Sequence, residues 1–328
     1  YTTFRNTTYL FYATENLEEN INYLLDYVQN IYLTPESVES EKGIIAEEIH
    51  MYEDRPNEVL IEKTRLNSLN NNPYRDSIIG TVKDIESITK DDLETCYHTF
   101  YHPSNMFIVV SGNFNVEKIM ETIRENQRNK EFKELDKIKI KEFEEKDKVY
   151  KEKEIIKSST NIPKAAYTIK IPLKNIKLTR RKLHLYLYIL FTTLFDETSN
   201  FDQKLKEENI ITSTTYVSLL NCNTHILISL INETPKYEEF LSKLKEKLET
   251  LEVKETDFNR KKKVLISNEI LAFESVETVN DIIIDNIIYD NKLEDNPIEI
   301  IKSLTYKELK ELIKELDIKN TNTVIVKK

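Results

Sequence analysis

The sequence has no tryptophan, three glycines and two cysteines in 328 residues. Two thiols, Cys96 and Cys222, are too few for a disulfide framework or a four-thiolate metal site, and they suit a reducing compartment such as the cytoplasm. Without a glycine-rich run there is no loop to cradle a nucleotide phosphate. Positive charge is in deficit, with 47 Lys and Arg against 57 Asp and Glu and a formal net charge of −10. No basic field is left for a phosphate backbone, so nucleic acid is not an expected partner. No apolar run approaches the ~20 residues that cross a bilayer as a helix, so a membrane is not one either. What is present, 39% hydrophobic and 32% charged residues, is the composition of a globular protein with a sizeable core.

Periodicity divides the chain into alternating elements. Residues 1–13, rich in Thr, Tyr and Phe, predict a strand pair or one long bent strand. Leu17, Ile21, Leu24, Leu25 and Val28 form one apolar stripe of a helix. Thr34-Pro35 is an N-cap and first-turn pair, and the helix it opens runs to about residue 66 with a break near Pro56. Thr89 with Asp92 predicts a capped helix that ends before Pro103. Residues 107–110 predict a buried strand closed by Gly112-Asn113, and a helix follows from Val116. Residues 128–157 are dense in Lys and Glu, the pattern of a solvated linker or edge strand.

Beyond that run the pattern restarts. Strands are expected over 165–171, 212–220, 224–231 and 323–326, with helices over 179–195, 237–251, 255–273, 276–289 and 306–316. The loose echo between halves predicts an α+β protein of two similar domains, each a mostly antiparallel sheet packed against helices. Residues 1–127 form the first domain, missing its N-terminal strands, 128–160 a charged linker or edge segment, and 161–328 the second domain.

The helix after Pro35 holds the main irregularity. Val38, Glu41, Ile45, Glu48 and Tyr52 follow three-four spacing, so two carboxylates share a stripe with apolar residues. Glu41 and Glu48 are two turns apart on one face, whereas Glu47 is rotated about 240° from Glu41. A solvated or salt-bridged pair would explain them; a buried carboxylate there would need an Arg, a Lys or a metal.

The segment Glu41-Lys42-Gly43-Ile44-Ile45-Ala46-Glu47-Glu48-Ile49 resembles the distal-glutamate helix of the pitrilysin/insulinase zinc peptidases, the inverzincins. Further matches follow in order: Thr8-Tyr9, Asn72-Pro73-Tyr74-Arg75, Ile79-Gly80-Thr81, Ile88-Thr89, the run from Phe100 through His102-Pro103-Ser104 to Met106, and Val110-Ser111-Gly112-Asn113. The half-size Gram-positive branch is the nearest pattern. The resemblance implies a zinc ion held by two His of an H-x-x-E-H motif and by Glu48, with Glu41 supporting the site and the motif's own Glu as general base. It also implies that Tyr1, Thr2 and Thr3 belong to an edge strand that binds an extended peptide by strand addition. Half-size members build their chamber from two chains, so a paralogous subunit or a second copy is the expected partner beside the peptide substrate.

The H-x-x-E-H motif itself is not in the sequence. His50, His98, His102, His184 and His225 are the five histidines, and none stands in it. The start at Tyr1, which is not Met, reads as a cut within a longer two-domain protein, downstream of the two His and the base. Only Glu48 of the expected ligand set is then in this chain, with no catalytic residue. The expectation is a metalloendopeptidase-family protein that, as given, neither retains zinc nor cleaves peptides. The competing reading is a non-catalytic pseudopeptidase subunit that binds peptides or completes a partner's chamber; a purely structural helical scaffold would leave the ordered motifs unexplained. His98 and His102, four apart near a helix end, lack a carboxylate between them to act as base and read as helix-end residues.

Overall fold

The computed structural model describes residues 1–128, 130–135, 138–141, 143–293 and 296–328. Residues 129, 136, 137 and 142 of the charged run lie outside the described residues. The chain is α+β and divides into two compact units that do not follow chain order. The first comprises Tyr1–Ile49, Ile78–Glu142 and Ser275–Leu293, the second His50–Ser77, Phe143–Glu274 and Glu294–Lys328.

Helices of the first unit are α1 (Leu17–Val28), the larger part of α2 (Pro35–Glu53), α4 (Val82–Ser87), α5 (Lys90–Phe100), α6 (Val116–Arg128) and α11 (Val276–Asp285). The cap expected at Thr89 forms, and a second one, not anticipated, forms at Thr81. Thr81 with Asp84 and Thr89 with Asp92 each close a reciprocal capping box, which satisfies two of the orphan N–H groups at the starts of α4 and α5. Ile21 and Val28 of α1 and Ile119 of α6 are buried, and α1 and α6 are tied by reciprocal side-chain amide bonds between Gln29 and Gln127 at 2.9 Å. Asn280 of α11 donates to Ser111 Oγ at 3.3 Å and to Val109 O at 3.4 Å.

Two expected strands fail here. Residues 1–13 form a single bridge, Thr2 opposite Thr7, rather than a strand pair. Residues 107–110 pair with nothing among the described residues, and Phe107 and Ile108 are about half exposed, at 46% and 50%. β-branched and aromatic residues favour an extended chain, but a strand is defined by its ladder, and among the described residues these segments have no neighbour that completes one.

The second unit holds a five-stranded sheet in the order β1 (Lys153–Lys157), β5 (Thr321–Lys327), β2 (Lys164–Pro172), β4 (His225–Glu233), β3 (Tyr216–Asn221). All its pairings are antiparallel except β1 with β5. Register fixes the two faces. Tyr167, Ile169, Ile171, Ile226, Ile228, Leu230 and Ile325 point to the main core, where α7 (Arg180–Phe195) lies, buried through Tyr186, Leu187, Ile189, Leu190, Phe191 and Phe195. A helix apolar all round is what a core helix requires. Onto the other face, at Ala166, Val324 and Val326, packs Leu60 of α3 (Pro56–Ser68), which begins at the Pro56 break. The remaining helices are α8 (Asn200–Glu207), α9 (Tyr237–Leu248), α10 (Glu255–Ala272), α12 (Pro297–Ser303) and α13 (Tyr306–Glu315); α8 and α12 have no counterpart in the sequence reading. The charged run ends in β1, an edge strand guarded by Lys153 and Lys157.

Gly80 and Gly112 have positive φ, and the same left-handed region is occupied by Asn16, Asn209, Asn223 and Asn291. Asn tolerates that conformation through its short polar side chain, so it replaces the missing glycines in the turns.

Candidate functional site

The candidate site is the exposed side of α2. Val38 and Ile49 are buried, which fixes the helix rotation, while Glu41 and Glu48 are both exposed. Ile45 is half-buried, so the carboxylates flank the packed stripe instead of being buried within it. That resolves the irregularity: neither Glu pays a burial cost, and neither needs an intrachain cation. Seven residues at ~1.5 Å rise separate the two carboxylates by about 10 Å along the axis. Both cannot therefore hold one ion at the ~2 Å of a zinc–oxygen bond. Gly43 lies between them, and apart from its chain neighbours and the helix's own backbone no atom of the described residues comes within 4 Å of where its Cβ would be.

The donor set limits what α2 can do. Among the described residues no group of three His, Cys, Asp or Glu is placed to hold a metal ion. Glu48 would supply at most one oxygen ligand and zinc needs at least three protein ligands, so the described residues do not by themselves fit the ion. His98 lines an open groove with Asp91 and Glu94 on α5. His102 lies beyond the end of that helix, where its Nδ1 accepts from the backbone N–H of Ser104 at 3.2 Å. The i, i+4 geometry is lost because α5 ends at Phe100.

Residues 1–8 close into a tight turn. Tyr1 and Thr8 exchange main-chain bonds of 3.1 and 2.9 Å, and Thr3 N–H donates to Asn6 O at 2.8 Å. Thr2, opposite Thr7, occupies the non-hydrogen-bonded position between them. Its N–H and C=O therefore face outward, which leaves one outward-facing peptide unit at Thr2 where a longer edge was expected. Tyr1 is 56% exposed and Thr3 is partly buried. Nearby, Tyr9 and Tyr101 hydroxyls are 2.9 Å apart, and burial together with that bond pushes the Tyr9 phenol up to about 12.

One polar cluster escaped the sequence reading. Lys170 of β2 and Glu145 form an ion pair of 2.5 Å with both side chains fully buried. A signal existed: Lys170 stands between Ile169 and Ile171 in a strand otherwise apolar on this stretch, and a buried ammonium demands a carboxylate. The pattern could not say which of the many Glu in residues 128–157 would answer it.

Residues 1–82 match the insulinase (peptidase family M16) domain, and residues 87–265 match the peptidase M16 inactive domain. The uncharacterized zinc protease YmfH of Bacillus subtilis is 39% identical over 217 residues, 65% of this chain and 50% of its own length. The β subunit of the mitochondrial-processing peptidase of Caenorhabditis elegans is 29% identical over 123 residues, 37% of this chain and 26% of that protein. The chain thus spans about half the length of YmfH and about a quarter of the processing-peptidase subunit. An M16-like peptidase of Alicyclobacillus acidocaldarius superposes with a TM-score of 0.89 at 26% identity, over 96% of this chain and 76% of that one. A protease of Helicobacter pylori gives 0.81 at 18% identity, over 95% and 77%, a likeness of fold alone.

Proposed function

From the premise that the chain belongs to the insulinase-type M16 peptidase family, we propose that it is the larger part of a zinc-dependent endopeptidase acting on unfolded peptides. Glu48 is the third zinc ligand, Glu41 supports it from two turns away, and Tyr1, Thr2 and Thr3 border the substrate as an edge. The two His ligands and the general base belong to an H-x-x-E-H segment outside these 328 residues. When bound, zinc would polarise the scissile carbonyl and acidify a water, and the absent Glu would take the proton. The 328-residue chain alone supplies one ligand and no base, so it neither retains zinc nor hydrolyses peptides. A paralogous subunit or a second copy completes the chamber, and the cytoplasm, where Cys96 and Cys222 stay reduced, is its compartment.

The observation that carries this reading is the placement of Glu41 and Glu48 on one accessible helix face at the family's spacing, with the helix rotation fixed by buried Val38 and Ile49. The test compares this chain with a version extended upstream through the H-x-x-E-H segment, measuring zinc by mass spectrometry and cleavage of a quenched fluorogenic unstructured peptide. Stoichiometric zinc and cleavage in the extended chain, both lost in Glu48→Gln, are expected. Zinc retained undiminished in Glu48→Gln overturns the assignment.

The second reading is a non-catalytic subunit that completes a partner's chamber. It is favoured by one observation, that none of the five histidines stands in a zinc motif. Cleavage appearing only when the chain is mixed with a zinc-loaded paralogue supports it, and cleavage by the extended chain alone excludes it.

A further inference from the structure

The motif Asn72-Pro73-Tyr74-Arg75 has no part in the chemistry above, and its surroundings assign it one. Glu145 Oε1 accepts the N–H of Asn70 at 2.8 Å; its Oε2 accepts those of Asn71 at 2.7 Å and Asn72 at 2.8 Å. Three successive main-chain N–H groups converging on one carboxylate make an anion nest. Lys170 adds the cation, donating to Glu145 Oε1 at 2.5 Å and to the carbonyls of Lys146 at 2.6 Å and Lys148 at 3.3 Å.

The loop is shaped for this by its own side chains. Asn72 Oδ1 accepts from Tyr74 N at 3.0 Å while its Nδ2 donates to Cys222 O at 2.8 Å, so the side chain both turns the loop and ties it to the sheet end. Arg75 donates to Asn70 O at 2.5 Å and lies over the Tyr150 ring at 5.1 Å. Further bonds run from Asn70 Nδ2 to Lys148 O and from Asn71 Nδ2 to Glu144 O, at 2.8 and 2.9 Å, and Asn320 Oδ1 accepts from Val149 N at 2.9 Å.

We propose that the N–H groups of Asn70, Asn71 and Asn72 with the Lys170 ammonium form a carboxylate-binding nest whose resident ligand is Glu145, so that residues 143–149 are a strap held on the second unit by an internal anion. The strap gathers the family loop, β2 and the end of the charged run at one buried charge. The inference is independent of the zinc assignment. Burial works against ionisation of Glu145, but the Lys170 and main-chain donors outweigh it and hold the carboxyl at about 2. The occupied, ionised nest is therefore the resting state at neutral pH.

A nest with a removable ligand predicts chemical rescue. In Glu145→Ala the cavity and the ammonium remain, and sodium formate restores the melting temperature in a dose-dependent way where sodium chloride of equal ionic strength does not. Wild type and the double variant Glu145→Ala, Lys170→Met do not respond. Amide hydrogen exchange at residues 70–72 accelerates at least tenfold in Glu145→Ala and slows again with formate. Should Glu145→Ala fail to fold, the isosteric Glu145→Gln carries the test: its amide oxygen can accept only part of the set, so exchange at these amides still rises. Equal formate responses in wild type and Glu145→Ala, or residues 70–72 staying protected in either variant, overturns the proposal.

Discussion

Asn322 of β5 donates its side-chain amide to Ser68 Oγ at the end of α3, 2.5 Å away and 254 residues apart in sequence. Ser68 Oγ in turn donates to Thr64 O at 2.7 Å, and both residues are fully buried. A helix from the early part of the chain is thereby built into the sheet of the second unit, with Leu60 as its apolar anchor.

Leu60→Ala should lower the stability of that unit by about 2–5 kcal/mol, since a large side chain 2% exposed leaves a cavity against Ala166, Val324 and Val326. Urea unfolding followed by circular dichroism measures it. A loss below half a kcal/mol would show that α3 is not an integral layer of the sheet.

The two thiols should separate kinetically. Cys96 is exposed, whereas Cys222 is fully buried and desolvation raises its thiol to about 12. Because the thiolate is the reactive species, one thiol should react with a disulfide reagent within minutes at pH 8 and the other only on unfolding. Two fast thiols would contradict the burial of the Cys222 turn.

Acid should release the strap. Glu145 is held at about 2 against an ordinary 4.5, so the folded state favours its ionised form. The stability it contributes is complete above about 4.5 and is lost as pH falls towards 2. Wild type and Glu145→Gln should therefore differ most in urea midpoint at pH 6 and converge between pH 4.5 and 2. A gap that is constant over this range would mean the carboxylate charge is not what the nest reads.

Within α2, Gly43→Ala should stabilise the chain by about 0.5–1 kcal/mol, because a mid-helix glycine costs that much and the added methyl meets open space. Glu48→Gln, an exposed change, should alter the stability of this chain little, by no more than about 0.5 kcal/mol. Thermal scans check both. A large loss in Glu48→Gln would point to a structural role for that carboxylate in place of a ligand's.

Legibility followed the range of the interactions. Helices such as α1, α2 and α5 are written locally, in the three-four stripes and in Thr89 with Asp92, and they stand as expected. β2, β4 and β5 were legible because each is a short run rich in β-branched and aromatic residues, as where Ala165, Tyr167, Ile169 and Ile171 alternate along β2. The errors are segments whose identity depends on a distant partner: residues 107–110 have the composition of a strand and no ladder among the described residues. Glu41 and Glu48 were found through their spacing, yet that spacing alone left open which side of the stripe they face, and the burial of Val38 and Ile49 decides it. Glu145 was invisible because its meaning lies in Asn70 to Asn72 and Lys170, which periodicity cannot connect to it.

The Asn residues that take the left-handed turns have a consequence outside the folded structure. A glycine would sit at each of those positions with less strain, but it would also enlarge the conformational space of the denatured chain by about 0.4–1 kcal/mol per residue. With only three glycines in the whole sequence, the unfolded ensemble is unusually restricted. Part of this protein's resistance to unfolding is therefore set by the disordered state it would have to enter.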